Sequence, residues 1–88
     1  MIPRMKNYKV VSIVWEDAWS DAGYFSKESA VNEPPCFITS VGILIENNDN
    51  GATIACELFH DTDKFDRYRK VQHIPKSIIR EFEVLKNE

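Results

Sequence analysis

The chain has 88 residues, 43% hydrophobic and 28% charged, with a net charge of −3 and a pI near 5.3. That is enough for one domain with a single core, and small enough that self-association would add useful buried area. No apolar run approaches the roughly 20 residues a membrane helix needs, and the acidic balance counts against sequence-independent binding to a nucleic-acid backbone.

In chain order, MIPRMK carries no apolar signal-peptide core, so a cytoplasmic location is expected and residues 1–6 are read as flexible. From Tyr8 to Glu16, Val11, Ile13 and Trp15 alternate with Tyr8, Val10, Ser12 and Val14, and the β-branched content predicts a first strand. Residues 17–35 form a polar connection with scattered aromatics and a proline pair. A connection of that length predicts a binding loop, with room for a short helical turn from Ser26 to Ala30.

The organising stretch is FITSVGILIENNDNGATIACELFH, residues 37–60. Asn47 to Gly51 are residues that tolerate positive φ, and they predict a hairpin between two apolar strands. Phe37, Thr39, Val41, Ile43 and Ile45 share one face of the first strand, while Ile38 and Leu44 lie on the other. Both faces are largely apolar, so the strand is expected to be central and covered on both sides. A turn centred on Asp49 sets Cys56 opposite Gly42, and Gly42 marks a bend or a close backbone approach. YRKVQHI predicts a fourth strand ended by Pro75, with one helical turn at 75–77. The tail, 78–85, fits a helix face through Ile78, Phe82 and Leu85 or an edge strand through Arg80, Phe82 and Val84, and the strand is preferred.

These elements predict a mainly β fold: a single five-stranded SH3-like or Sm-like barrel over residues 1–88, with a long first loop and a one-turn helix before the last strand. VGILIENNDNGATIACEL resembles the glycine-bearing hairpin of Sm-type folds, and IPKSIIREFEVL resembles their closing segment. The two cysteines read as reduced thiols, since Cys36 and Cys56 do not oppose each other in this register.

The richest chemistry sits after the first strand. Trp15, Asp17, Trp19, Ser20 and Tyr24 offer flat stacking surfaces beside a carboxylate and a hydroxyl, the combination that recognises a nucleobase or similar planar ligand. Read singly, Trp15 closes the core and Asp17 caps the loop. Six of the eleven basic residues, among them Arg69 and Lys76, fall between 64 and 80. That span could meet phosphates or form a solvated face. His60, Asp61, Asp63 and Asp66 lack the spacing of a calcium loop and supply one imidazole where catalytic zinc takes two or three. Cys56 lies in an apolar strand that disfavours a thiolate. No catalytic residue, metal or cofactor is therefore expected.

IVWEDAWSDAGY, TSVGILIE and HIPKSII together resemble a group of short proteins encoded by phages and prophages, whose pattern is Trp-x-Asp-Ala-x-Ser-x-x-Gly-aromatic, then Val-Gly-x-Leu, then Ile-Pro-Lys. Trp15, Asp17, Ala18, Ser20 and Gly23 fill the first segment, with Tyr24 where Trp is more usual. Val41, Gly42 and Leu44 fill the second, and Ile74, Pro75 and Lys76 the third. The resemblance implies a setting in the host bacterial cytoplasm. There, small phage proteins include oligomeric sponges that hold cyclic dinucleotides or other immune signals away from their effectors. The implied activity is non-enzymatic, with Trp15, Asp17, Trp19, Ser20, Tyr24, Arg69 and Lys76 lining a pocket of a homo-oligomer. A single-stranded RNA binder using the basic span, and a protein-protein adaptor that blocks a host enzyme, are the alternatives.

Overall fold

The computed structural model describes residues 8–18, 23–60 and 67–87. The expected flexible start, 1–6, lies outside them, as do Trp19, Ser20 and the acidic residues between 61 and 66. Five strands are present, β1 (Lys9–Asp17), β2 (Cys36–Asn48), β3 (Gly51–Phe59), β4 (Arg67–Pro75) and β5 (Ile79–Asn87). With them come a short helix, α1 (Lys27–Val31), and a 3-10 turn at Lys76–Ile78. All ladders are antiparallel and run in the order β4-β3-β2-β1-β5. The mainly β architecture, the strand count, the turn before the last strand and the strand character of the tail agree with the sequence. The ladders form one open sheet whose edges are β4 and β5.

β2 explains how an open sheet makes a core. Its first half pairs with β1 from Cys36 to Ile43, and its second half pairs with β3 from Ile43 to Asn48. The strand therefore changes partner at Ile43 and carries the chain from a β5-β1-β2 layer into a β2-β3-β4 layer, as corner strands do. Gly42 stands at this corner. A Cβ there would lie 2.7 Å from the Ala55 carbonyl oxygen and 3.2 Å from the Ile54 Cβ, so the close approach of β3 requires glycine.

Between the two layers, Val11 and Ile13 of β1 meet Ala52 and Ile54 of β3 and Ile74 of β4, with Trp15, Leu44, Ile78 and Ile79 packed around them. Val11, Ile13, Ile54 and Ile74 are fully buried. Each stabilises the fold by roughly 1.5–3 kcal/mol relative to an exposed side chain. The 3-10 turn touches both β1 and β3, closing one end of this core.

The hairpin turn is solved more economically than the run of Asn and Asp suggests. Among the described residues, Gly51 (φ 138) is the only one between 47 and 51 with positive φ. Asp49 and Asn50 form a two-residue turn, Asn48 Oδ1 accepts from the Asn50 amide at 2.8 Å, and Asn48 pairs with Gly51. A bulge at Ile45 then shifts the register by one, restoring Leu44 opposite Ile54 and Ile43 opposite Ala55. The register near Gly42 thus matches a turn centred on Asp49, although the turn itself lies half a residue later.

One expectation is corrected. β2 is central in the sheet but is not covered on both faces: Phe37 is 56% exposed and Val41 51%. Their partners across the ladder, Glu16 and Ser12, belong to the outer face of β1. A second correction concerns Cys56, which is exposed despite its apolar strand; Cys36 is also exposed, and both are free thiols.

Candidate functional site

Trp15 and Asp17 end β1 two residues apart, so their side chains leave the same face of the strand. Both are intermediate in burial. Trp15 packs on the core, while its indole Nε1 donates to Ser40 Oγ at 3.0 Å, across the ladder in β2. That bond fixes the ring plane. Asp17 Oδ1 accepts from the Ala18 amide at 2.9 Å, holding the carboxylate where the strand ends. Sequence reasoning named both residues but missed Ser40. The only signal for Ser40 is its place in the ladder beside Trp15, which requires the β1-β2 register.

The 3-10 turn brings Lys76 to this same end. Trp15 pairs with Ile79, three residues beyond Lys76, and the Lys76 amide donates to the Asn50 carbonyl at 3.2 Å, tying the turn to the β2-β3 hairpin. Arg80 braces the arrangement. It occupies a bulge in β5, and its guanidinium donates to Glu16 Oε1 at 3.2 Å and to the Ser77 carbonyl at 2.8 Å.

Arg69 is not part of this grouping. It sits six residues before Pro75 on β4, about 20 Å away at the strand rise, and pairs with Glu57 at 3.3 Å. Lys70 reaches the other oxygen of Glu57 at 3.5 Å. Neighbours on a strand normally point to opposite faces, but Lys70 has φ 55, and this left-handed conformation turns its ammonium to the side of Arg69. Tyr24 is wholly exposed and precedes α1, whose N-cap Ser26 accepts from the Ser29 amide at 3.1 Å. Trp19 and Ser20 lie outside the described residues.

Two open depressions are lined by other side chains. One, of about 400 Å³, lies where β2 and β3 part company and is bordered by Val10, Val41, Ile43, Ala55, Cys56 and His60. The other, of about 350 Å³, lies between Val14, Phe37, Arg80 and Glu81 on the outer face of the β5-β1-β2 layer. Among the described residues, no group of three or more His, Cys, Asp or Glu could hold a metal ion, and no helix is long and apolar enough to cross a membrane. Comparison of the chain with protein families, curated proteins and solved structures finds no match.

Proposed function

We propose that the chain is an SH3-like or Sm-like small barrel that self-associates and acts as a non-enzymatic binding protein. In a phage setting it would hold a nucleotide-derived immune signal, such as a cyclic dinucleotide, and so antagonise host defence. The observation that carries this reading is the pairing of Trp15 and Asp17 on one face at the end of β1. The ring is pinned by Ser40 and still partly open to solvent, and the carboxylate is held two residues on. A pinned indole offers stacking area with little entropy left to lose, and the carboxylate accepts from the ring and exocyclic N–H groups of a base.

Lys76, at the same end, supplies a cation for a phosphate. Arg69 is too far along β4 to join within one chain, so its part in the site requires a neighbouring subunit.

Titration calorimetry and thermal shift with a panel of cyclic dinucleotides test the reading. Saturable stabilisation by at least one of them is expected, rising with ligand concentration by mass action. Trp15→Phe should weaken that response, since it removes the pinned indole edge while keeping most of the packing, and Asp17→Asn should weaken it further. Full affinity in both folded variants, or no response to any member of the panel, would sink the assignment.

A second reading has its own observation. Arg67, Arg69 and Lys70 cluster with the partly exposed Tyr68 on β4, a basic stretch with an aromatic of the kind that tracks single-stranded RNA. Binding of this kind would weaken steeply as salt is raised, whereas the small-molecule site would be far less sensitive.

A further inference from the structure

Of the asparagines in the chain, only Asn50 is followed by glycine. The others precede Tyr8, Glu33, Asn48, Asp49 and Glu88, all of which carry side chains. The difference is chemical. An asparagine amide can be attacked by the backbone nitrogen of the next residue, and a side chain on that residue crowds the cyclic imide that forms. Glycine has no Cβ and leaves its backbone the widest range of conformations.

Asn50 also sits where water reaches it, exposed in the two-residue turn between β2 and β3 beside exposed Asn48 and Asp49. Both of its backbone groups hold the turn in place. The amide donates to Asn48 Oδ1 at 2.8 Å, and the carbonyl accepts from the Lys76 amide at 3.2 Å, joining the hairpin to the 3-10 turn. Gly51 leaves no slack on the other side. It pairs with Asn48 and with Pro75, and an atom added at its Cβ position would stand 3.0 Å from both the Ile74 carbonyl carbon and the Lys76 nitrogen. Ile74 itself belongs to the core.

We infer that Asn50 is a site of spontaneous covalent modification, and that its conversion to isoaspartate uncouples the β2-β3 hairpin from the 3-10 turn. The Gly51 nitrogen bonds to Asn50 Cγ as the Cγ–Nδ2 bond breaks, and the Gly51 amide proton leaves with Nδ2 as ammonia. Water then opens the imide. Addition at Cγ gives aspartate, whereas addition at the former main-chain carbonyl carbon gives isoaspartate, in which the chain runs on through Cβ and Cγ. The net reaction consumes water, releases ammonia and needs no oxidant or reductant. Because Gly51 is buried and paired, the ring closes through local opening of the hairpin tip, so conversion is slower than in a free peptide.

Isoaspartate lengthens the backbone by one atom beside Gly51, and the oxygen that accepted from Lys76 becomes part of a free carboxylate on a branch. The ladder takes up the extra atom only by moving Gly51 against the Ile74 carbonyl and the Lys76 amide. Either product adds one negative charge to the −3 of the unmodified chain. Aspartate leaves the backbone intact, so the two products separate the effect of charge from that of geometry. The inference goes beyond the proposed function and does not rest on it, although Lys76 belongs to both.

Incubation of the full chain in warm, mildly alkaline buffer, followed by peptide mapping and isoaspartate-specific methylation, tests it. Asn50 should acquire the mass of the acid and an isoaspartyl linkage, while Asn32, Asn47 and Asn48 remain amides. The isoaspartyl fraction should melt roughly 4–8 °C below the untreated chain, the shift expected of one lost hydrogen bond in a domain of this size, and its Lys76 amide should exchange with solvent faster. Asn50→Ser, which has no amide to lose, should pass through the same incubation with its melting temperature unchanged. Freshly prepared Asn50→Asp should melt close to wild type, as an exposed substitution does.

An Asn50 that stays intact in an incubation that fully converts a peptide of residues 46–54 would overturn the proposal. So would an isoaspartyl chain with the melting temperature and Lys76 exchange of the untreated one. An Asn50→Asp chain as destabilised as the isoaspartyl one would also overturn it, since charge and not the lengthened backbone would then be the cause.

Discussion

The inner and outer surfaces of this sheet are built from nearly the same residue types and do opposite work. Inside, Val11, Ile13, Ala52, Ile54 and Ile74 are sealed together, and no buried side-chain polar atom among the described residues lacks a partner. Outside, Phe37, Val41, Phe59 and Val71 remain about half exposed beside charged neighbours. The sequence alternates valine and isoleucine on both faces of β1 and β2, so composition alone does not tell the faces apart. The corner at Gly42 does, because it folds one face onto itself and turns the other outward. Stability of the single chain should therefore reside in the inner face and not in the outer one.

The largest effect that tests this contrast is truncation of the inner face. Ile54→Ala and Ile13→Ala should each cost about 2–5 kcal/mol in denaturant unfolding, the transfer term plus the cavity left behind. Next comes Gly51→Ala. A Cβ there would collide with the Ile74 carbonyl oxygen, and φ 138 disfavours any side chain. A loss of roughly 1–3 kcal/mol is expected by the same measurement.

Ser40→Ala should cost about 0.5–1.5 kcal/mol by unpairing the Trp15 indole. It should also broaden the tryptophan fluorescence as the ring loses its fixed orientation. The smallest effect should come from the outer face. Val41→Thr, measured at concentrations where the chain is monomeric, should stay within about 0.5 kcal/mol of wild type. A loss from Val41→Thr as large as that from Ile54→Ala would break the contrast between the faces.

Much of the fold was legible in advance. Period-two alternation marked β1, the Asn and Asp run marked the hairpin, and Pro75 marked the end of β4 and the start of the 3-10 turn. The short helix after Ser26 follows from a capping serine. The tail was ambiguous because Ile78, Phe82 and Leu85 suit a helix while Phe82 and Val84 suit a strand. Pairing settles it, since Val84 sits opposite Val11 and Phe82 opposite Ile13. Bulges at Leu85 and Arg80 absorb the residues that break the alternation. Such bulges cannot be read locally, because an extra residue is defined only against its partner strand.

The candidate site divides in the same way. Trp15 and Asp17 stand out by residue type and spacing. Their partners, Ser40 and Ala18, and the brace from Arg80 to Glu16, depend on which strand lies alongside. Lys76 and Arg69 are close in the sequence, yet the length of β4 separates them and delivers Lys76 alone to the Trp15 end.

By itself the sequence determined where strands begin and end and which side chains share a face, because alternation and turn chemistry act over a few residues. Which of two apolar faces is buried, how far Arg69 lies from Trp15 and what pins the indole were decided only by the tertiary structure. Those outcomes depend on β2 changing partners at its corner, a contact between strands that no local pattern encodes.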